Sequence, residues 1–399
     1  MNILFLSTWF PYPPDNGSKI RVYHLLRALG RRHNVTLLSF SFGTARPAEV
    51  TPAQLGCRAV EIVSRDPFER RRLAWGLRFF ALTPVVERPV AEMVDLVDQA
   101  LDATPFDLII ASTTGMAAYA FQAAGVPKVL EEHNCWSAPA LALYRAQRQP
   151  LKRLRYWASW RKRAGYESRL YRRFDLVTMV SEEDREAADN LLPDSGRRVQ
   201  VVPNGVDCEH NRPGLVQPQP DSLVFNGALT YSANYDAMRY FLTEVYPLIR
   251  QQIPDVSLTI TGSTRGVDPG RLPLGEGVRL SGYVDDVRPL VAAAWACVVP
   301  LRQGGGTRLK ILEAMALGTP VVTTAKGAEG LEARPERDLL LADEPAEFAA
   351  QVVRLLRDRD LRQRLAHNAR RLVEERYDWA AIGERFVALV EAVAREGGS

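Results

Sequence analysis

Short apolar runs without polar alternation recur along the first half of the chain, and segments of helical periodicity separate them. A run of this kind predicts a strand buried on both faces, as in a parallel sheet that helices cover. The runs are residues 3–7, 35–40, 108–111, 128–130, 176–180 and 199–202. The helical candidates are residues 18–29, 66–82, 90–103 and the long basic segment 140–173. This β–α rhythm predicts a doubly wound α/β domain.

The same rhythm restarts after a polar, proline-rich stretch at residues 210–221. Proline and polar residues at that density are typical of a linker. Further strand candidates follow at residues 223–225, 257–260, 278–280, 296–299 and 320–323. A last helical segment, at about residues 379–396, has apolar residues at helical spacing. The chain therefore reads as two α/β halves.

We predict two facing Rossmann-like domains, each with a doubly wound parallel sheet. The expected boundaries are 1–205 for the first domain, 206–221 for a linker, 222–376 for the second domain and 377–399 for a helix packing back toward the first. Ligands of open α/β sheets bind beyond the carboxyl ends of the strands. Two such domains predict an interdomain cleft that can hold two substrates.

Composition argues against several classes of protein. The net charge is +4, from 51 basic and 47 acidic side chains, which gives no reason to expect nucleic-acid binding. The four cysteines form no CxxC pair, which suits a reducing compartment better than a zinc ribbon or disulfide framework. The apolar residues 1–8 lack the basic residues of a signal peptide, and the uncharged stretch 290–301 is too short to span a bilayer. We expect a cytoplasmic protein.

Residues 298–322 carry the strongest chemical signal. A strand ends near Pro300, three glycines follow at 304–306, and a helix begins near Thr307. Glycines let the backbone approach a ligand, and a helix N-terminus suits a phosphate. Arg308 and Lys310 add cations, and Glu313 is a carboxylate suited to the vicinal hydroxyls of a ribose. The alternative is a flexible loop before a solvated basic helix; the pattern is not a Walker A loop.

The segment GGGTRLKILEAMALGTPVV resembles the donor-binding segment of glycosyltransferase family 4, whose members have the GT-B fold. Further similarities occur in the family's order along the chain. They are PDNGSKIRVYHLLRALGRRHNVTLL (14–38), EEHN (131–134), VSEEDREA and VVPNGVD (within 180–207), FNGALTYSANYDAMRYF (225–241) and LSGYVDDVRPLVAAA (280–294). Their order and span make a chance match implausible.

The resemblance implies a hexosyl- or related transferase that moves a sugar from a nucleotide-diphosphate sugar to an acceptor hydroxyl and retains the anomeric configuration. The donor is expected on the C-terminal domain and the acceptor, a carbohydrate or a lipid-linked one, mostly on the N-terminal domain. No divalent metal is expected, because fixed cations and N–H dipoles can stabilise the leaving diphosphate. Polysaccharide or glycolipid assembly is the implied setting.

The resemblance also implies roles for individual residues. Arg308 and Lys310 are expected to neutralise the diphosphate, and His133 to contact the sugar near the reacting carbon. The binding roles fall to Gly17 (approach to sugar and phosphate), Gly227 (first loop of the second domain), Gly282 and Tyr283 (base), Gly305, Gly306 and Thr307 (phosphate amides) and Glu313 (ribose).

Two positions depart from the family pattern. Many members have a glutamate eight residues before the position of Glu313, where this chain has Gly305. That glutamate usually contacts hydroxyls of the donor sugar, so the departure concerns the identity of the sugar and activity itself. Many members also have Arg and Lys in the loop at 227–236, which carries no cation here. We expect Arg308 and Lys310 to supply that charge instead.

His133 has a second interpretation. A histidine at a strand end beside Glu131 and Glu132 is often a satisfied or surface side chain. The family context favours the active-site role.

The segment 145–173 is strongly basic, with Glu167 as its one acidic residue. Its cations are Arg145, Arg148, Lys152, Arg153, Arg155, Arg161, Lys162, Arg163, Arg169, Arg172 and Arg173, and aromatic residues lie among them. Such a helix suits an anionic membrane surface, and a peripheral position on the inner face of the membrane would follow. Residues 70–72 with Trp75, Phe79 and Phe80 form a second basic, aromatic patch. The alternative is a solvated helix with its aromatic residues in the core.

Two further functions stay open. A nucleotide-sugar epimerase of GT-B fold needs no acceptor but needs acid and base groups around the sugar, and the sequence offers only His133 in a clear position. A non-catalytic nucleotide-sugar-binding subunit would explain Gly305.

Overall fold

The chain forms two compact units in a computed structural model that describes residues 1–68, 89–192, 198–304 and 308–397. The first unit comprises Met1–Asn204 together with Ile382–Ser399, and the second comprises Gly205–Ala381. Each unit contains one parallel β-sheet between layers of helices. The predicted fold class, two Rossmann-like doubly wound α/β domains, is confirmed.

The first unit contains a seven-stranded sheet in the order β3-β2-β1-β4-β5-β6-β7. Its strands are β1 (Asn2–Ser7), β2 (Asn34–Phe40), β3 (Ala59–Val63), β4 (Leu108–Ser112), β5 (Lys128–Glu131), β6 (Leu176–Met179) and β7 (Val199–Val201). All neighbouring pairs are parallel, with Ile3 opposite both Val35 and Leu108 in the register. The central strands β1 and β4 are buried almost throughout, as continuous apolar runs require.

Helices connect these strands and cover the sheet. They are α1 (Gly17–Gly30), α2 (Ala91–Ala103), α3 (Ala117–Ala120), α4 (Ser137–Ala146), α5 (Pro150–Tyr171) and α6 (Glu182–Asp189). Short 3₁₀ turns lie at Pro47–Glu49, Ala53–Leu55 and Thr114–Met116.

The second unit contains a six-stranded sheet in the order β10-β9-β8-β11-β12-β13. Its strands are β8 (Ser222–Asn226), β9 (Ser257–Thr261), β10 (Val278–Gly282), β11 (Ala296–Val299), β12 (Val321–Thr323) and β13 (Leu340–Leu341). Alternate residues of β11 enter separate apolar clusters, Val298 one and Cys297 the other. The sheet is therefore buried on both faces.

The helices of the second unit are α7 (Ser232–Tyr240), which continues through one π-helical turn (Phe241–Val245) into α8 (Tyr246–Arg250), then α9 (Arg288–Ala292), α10 (Leu309–Ala316), α11 (Ala325–Ala328), α12 (Pro345–Arg357) and α13 (Arg359–Arg376). A 3₁₀ turn lies at Pro269–Arg271. The last helix, α14 (Trp379–Gly397), belongs to the first unit from Ile382 onward. It packs on α1 so closely that a Cβ on Gly383 would lie 2.6 Å from the Cβ of Ala28.

The structure differs from the sequence reading at several elements. The predicted helix at 140–173 is two helices, because Pro150 lacks an N–H and disfavours helical backbone at Gln149, so that α5 starts afresh. Strands β3 and β13 were not predicted; β3 has only Val63 buried, and β13 is two residues long. The predicted helix at 66–82 falls largely outside the described residues.

The proline-rich segment at 206–221 lies within the second unit. Its backbone is held there, because the Arg370 guanidinium donates to the carbonyls of Cys208 and Asn211, and the N–H of Gln219 donates to Ala293 at 2.8 Å. Proline content indicated irregular backbone, but it carried no information about which side chains hold that backbone.

Candidate active site

Lys310 is the best-defined cation beside the carboxyl ends of β8 and β11. It lies in the first turn of α10, and its Nζ donates to the Oδ1 of Asn234 on α7 at 2.6 Å. The ammonium also sits 4.9 Å from the centroid of the Phe225 ring. A Cβ on Gly227 would lie 2.9 Å from the same Nζ. Glycine at 227 therefore leaves the room that the ammonium occupies.

Glu313 lies one turn further along α10. Its Oε2 accepts a hydrogen bond of 2.6 Å from the Nδ2 of Asn226, the last residue of β8. Asn226 therefore holds Glu313, and Gly227 leaves room for Lys310. Neither asparagine contact was predicted from the sequence. The signal that could have found them is the position of Asn226 at the end of β8 and of Asn234 in the helix that follows.

Arg308 immediately precedes α10 and is almost fully buried. Its guanidinium donates to the carbonyl of Gly304 at 2.8 Å and to that of Lys326 at 3.2 Å, and it lies 3.7 Å from a carboxylate oxygen of Glu329. Arg308 therefore anchors the last described residue of the glycine loop. Gly305, Gly306 and Thr307 lie outside the described residues.

Gly282 and Tyr283 lie at the end of β10. Gly282 has a φ of +69°, which favours glycine, and its carbonyl accepts a hydrogen bond of 3.0 Å from the N–H of Gly262. The Tyr283 side chain is exposed. A Cβ built on Gly282 would meet no atom within 4 Å, so the backbone at this strand end is open.

His133 lies just beyond β5 in the first unit, where three groups fix its ring. Its Nδ1 is 3.2 Å from the Oγ of Ser18, its Nε2 is 3.3 Å from the Oε2 of Glu131, and the ring stacks on Trp9 with centroids 6.1 Å apart. Ser18 follows Gly17, the first residue of α1. The structure therefore brings Gly17 and His133, which are far apart in sequence, to the same strand end.

Comparisons with known proteins match both units. Residues 15–210 match the family described as Glycosyltransferase Family 4, and residues 220–358 match Glycosyl transferases group 1. The two matches together span most of the chain.

The chain belongs to glycosyltransferase family 4.

Relatives of this family 4 glycosyltransferase include an uncharacterized 44.6 kDa protein in the cps region of Klebsiella pneumoniae. It is 22% identical over 94% of this chain and 96% of its own length. A phosphatidyl-myo-inositol mannosyltransferase of Propionibacterium freudenreichii is 27% identical over 55% of this chain and 57% of its own.

Solved structures show the same fold as the glycosyltransferase. Sucrose-phosphate synthase of Thermosynechococcus elongatus has a TM-score of 0.70 and 19% identity, and covers 98% of this chain and 99% of its own. Anabaena HepE, solved with UDP, has a TM-score of 0.65 and 19% identity, over 98% of this chain and all of its own. The predicted GT-B fold is confirmed.

Burial shifts the pKa values of both charged groups on α10. It lowers the pKa of Lys310 from 10.5 to about 8, an effect to which the nearby Arg308 charge adds. It raises the pKa of Glu313 from 4.5 to about 6, against the hydrogen bond from Asn226 and the charge of Lys310. Burial therefore leaves both groups poorly solvated, as is common for charged groups at functional sites.

The two adjacent glutamates before His133 have opposite pKa shifts. Burial acts to raise the pKa of Glu131, but the charges of Arg21 and His133 and the Ser112 hydroxyl hold it well below its usual range. Burial also raises the pKa of Glu132, and here it prevails over two hydrogen bonds from Thr114. The pKa of Glu131 is thus lowered and that of Glu132 raised, although the two residues are adjacent and both fully buried.

The described part of the glycosyltransferase contains neither a membrane-spanning helix nor a cluster of metal-ligating side chains. Among the helices that the structure describes, none combines the length and apolarity that crossing a bilayer requires. Within the same described ranges, no three His, Cys, Asp or Glu side chains converge as metal ligands would.

Proposed function

We propose that this glycosyltransferase moves a sugar from a nucleoside-diphosphate sugar to an acceptor hydroxyl, with retention of the anomeric configuration. The partly buried ammonium of Lys310, beside Gly227 and the start of α10, carries the proposal. Relatives described as phosphatidyl-myo-inositol mannosyltransferases and a fold neighbour solved with UDP support the donor class and a glycolipid or polysaccharide product.

In the proposed donor site, Lys310 and Arg308 meet the diphosphate. Breaking the bond between the sugar and the diphosphate places negative charge on the leaving group, and fixed cations lower the barrier to that step. Lys310 has three N–H donors, of which Asn234 takes one. Arg308 contributes its charge while it anchors Gly304, and the amides of Gly305, Gly306 and Thr307 complete the proposed phosphate contacts. These charges supply what a divalent metal supplies in other transferases, so we propose that none is needed.

The remaining donor contacts follow from the same unit. Glu313 is proposed to accept hydrogen bonds from the ribose hydroxyls, since Asn226 already orients its carboxylate. The base is proposed to lie against the backbone at Gly282 and Tyr283, because Gly282 has no side chain and adopts a φ of +69° at the strand end.

On the first unit, His133 is proposed to contact the transferred sugar near its reacting carbon. The ring is already held by Ser18, Glu131 and Trp9, so little reorganisation is needed when the sugar binds. Gly17, the first residue of α1, carries no side chain at this point.

A lipid surface is proposed as the location of the acceptor. The helical hairpin of α4 and α5 exposes Leu143 (54%), Leu151 (83%), Leu154 (61%) and Trp157 (42%), beside the exposed cations Lys152, Arg153 and Arg155. Apolar side chains ringed by cations suit the interface of an anionic membrane. Other aromatic residues of the segment have structural roles, because Tyr166 and Tyr171 lie in the core and Tyr144 stacks on Trp160. The second basic patch at 70–80 lies outside the described residues.

Incubation with UDP-, GDP- and ADP-sugars in EDTA, with and without lipid-linked and saccharide acceptors, tests the proposal. We expect release of nucleoside diphosphate together with a glycosylated acceptor, whose new bond keeps the donor's anomeric configuration by NMR. Conversion of the sugar nucleotide without acceptor would indicate an epimerase, and binding without turnover would indicate a non-catalytic subunit. Either result would contradict the proposed reaction.

A further inference from the structure

Arg21 is a fully buried charged residue of the first unit and lies on α1. Its Nε donates to the Oε1 of Glu131, and the two side chains form an ion pair with no exposed surface. A buried arginine is costly unless its donors are satisfied, so this arrangement needs a compensating role or compensating contacts.

The NH1 nitrogen of Arg21 binds residues 202–204, where the N-terminal segment of the first unit ends. Its NH1 donates to the carbonyls of Val202 at 2.8 Å and Pro203 at 3.1 Å, and to the Oδ1 of Asn204 at 3.1 Å. The first unit's N-terminal segment ends at Asn204. One side chain therefore fixes both the carboxylate at the end of β5 and the backbone where the chain leaves that segment.

Glu131 in turn contacts His133. Its Oε1 faces Arg21, while its Oε2 accepts from the Ser112 hydroxyl at 2.6 Å and lies 3.3 Å from the Nε2 of His133. An ionised carboxylate can only accept hydrogen bonds, so Glu131 at this distance favours a proton on the facing Nε2 of His133. The Nδ1 of the same ring faces the Ser18 hydroxyl at 3.2 Å.

We propose that Arg21 and Glu131 are positioning residues for His133: Arg21 keeps Glu131 ionised and in place, and Glu131 fixes the ring orientation and the proton on Nε2. The expected change in kcat rests on the proposed function, whereas the expected position of the ring proton does not. Neither residue is expected to touch the substrate, since both are fully buried.

The neighbouring acid provides a matched control. Glu132 is also fully buried, but its pKa is raised and its Oε2 accepts from the N–H and hydroxyl of Thr114. Glu132→Gln therefore changes a buried side chain that contacts Thr114, whereas Glu131→Gln removes the carboxylate that faces His133. An amide at 131 presents either an oxygen or an NH₂ to His133, so the ring proton loses its fixed position.

Kinetics and ¹⁵N NMR of histidine-labelled protein test the proposal together. Glu131→Gln is expected to lower kcat about 10- to 100-fold with little change in the KM for the donor, a smaller loss than in His133→Ala, and Glu132→Gln to stay within about twofold of wild type. Arg21→Gln should resemble Glu131→Gln, and the double variant should be no worse than either single one. Full activity of Glu131→Gln, or additive losses in the double variant, would overturn the proposal.

The NMR measurement on the wild-type protein needs neither a folded variant nor transferase activity. It is expected to show the ring of His133 protonated on Nε2, and that assignment to be lost in Glu131→Gln but kept in Glu132→Gln. A wild-type ring whose Nε2 is unprotonated would overturn the positioning role, even if transfer itself is observed. A wild-type protein that shows the Nε2 proton of His133 but transfers no sugar would instead count against the proposed function.

Discussion

The Nζ of Lys310 lies 2.6 Å from the Oδ1 of Asn234, which ties α10 to α7 at the carboxyl edge of the second sheet. The two helices follow β11 and β8, which are adjacent strands in that sheet. The contact therefore places one ammonium between two strand-to-helix connections, where a parallel sheet binds its ligands. The ammonium is poorly solvated there, as its lowered pKa indicates.

We expect Lys310→Met to make the empty protein more stable. A fall in the pKa from 10.5 to about 8 corresponds to a cost of about 3 kcal/mol for the charged group near pH 7. Loss of the hydrogen bond to Asn234 offsets roughly 1 kcal/mol of that gain. The unfolding midpoint in urea should rise at pH 7. The gain should shrink as pH increases from 8 to 10.5, because the wild-type lysine is then neutral in the folded state. A lower midpoint would show that Lys310 stabilises the empty site.

Nucleoside-diphosphate binding should weaken above pH 8. Lys310 is charged below its pKa of about 8 and neutral above it, and only the charged form attracts a phosphate. The Kd should stay level between about pH 6.5 and 7.5 and then rise toward tenfold per unit above pH 8, measured by calorimetry. Lys310→Arg keeps its charge throughout this range and should remove the rise. An unchanged Kd at pH 9.5 in the wild-type protein would contradict the role of Lys310.

Glu313→Gln should reduce discrimination between ribose and deoxyribose. The carboxylate, held by Asn226, is proposed to bind both ribose hydroxyls, so the wild-type protein should bind the ribonucleotide about tenfold more tightly than its 2′-deoxy form. An amide accepts through one oxygen only, and the ratio should fall toward about two. The ratio of the two Kd values is the measurement, and an unchanged ratio would exclude Glu313 from the ribose contact.

The hairpin of α4 and α5 should govern retention on lipid vesicles. Replacing Leu151 and Leu154 by Glu removes the most exposed apolar side chains and adds repulsion from an anionic surface. Co-sedimentation with phosphatidylglycerol-containing vesicles at low salt should fall at least tenfold. Leu274→Glu, at an exposed leucine of the second unit, is the control and should sediment as wild type does. Equal sedimentation of all three proteins would remove the hairpin from the membrane proposal.

The sequence was sufficient for the two sheets, because continuous apolar runs such as residues 3–7 and 296–299 leave little choice other than a doubly covered parallel sheet. It was insufficient for β3, whose residues are mostly half-buried, and for the break before Pro150 within a long basic segment. Both failures occur where local composition is compatible with more than one structure.

The positions of the charged residues on α10 could be predicted from the sequence, but the side chains that contact them could not. Lys310 and Glu313 follow from their spacing after the glycines, whereas Asn226 and Asn234 reach them across the sheet from about 80 residues earlier. Arg21 and Glu131 are 110 residues apart in the sequence. Such contacts depend on strand order, which local periodicity does not determine.

The central claim is that Lys310 is the cation of a nucleotide-sugar site, and calorimetric titration of UDP, GDP and ADP tests it most directly. The wild-type protein should bind at least one of these nucleotides without added metal. Lys310→Met should lose about 30-fold or more in affinity, equivalent to about 2 kcal/mol. Lys326→Met, which removes a more exposed lysine paired with Glu329, should bind as the wild type does. Failure of the wild-type protein to bind any of the three, or unaltered binding by Lys310→Met, would contradict the account.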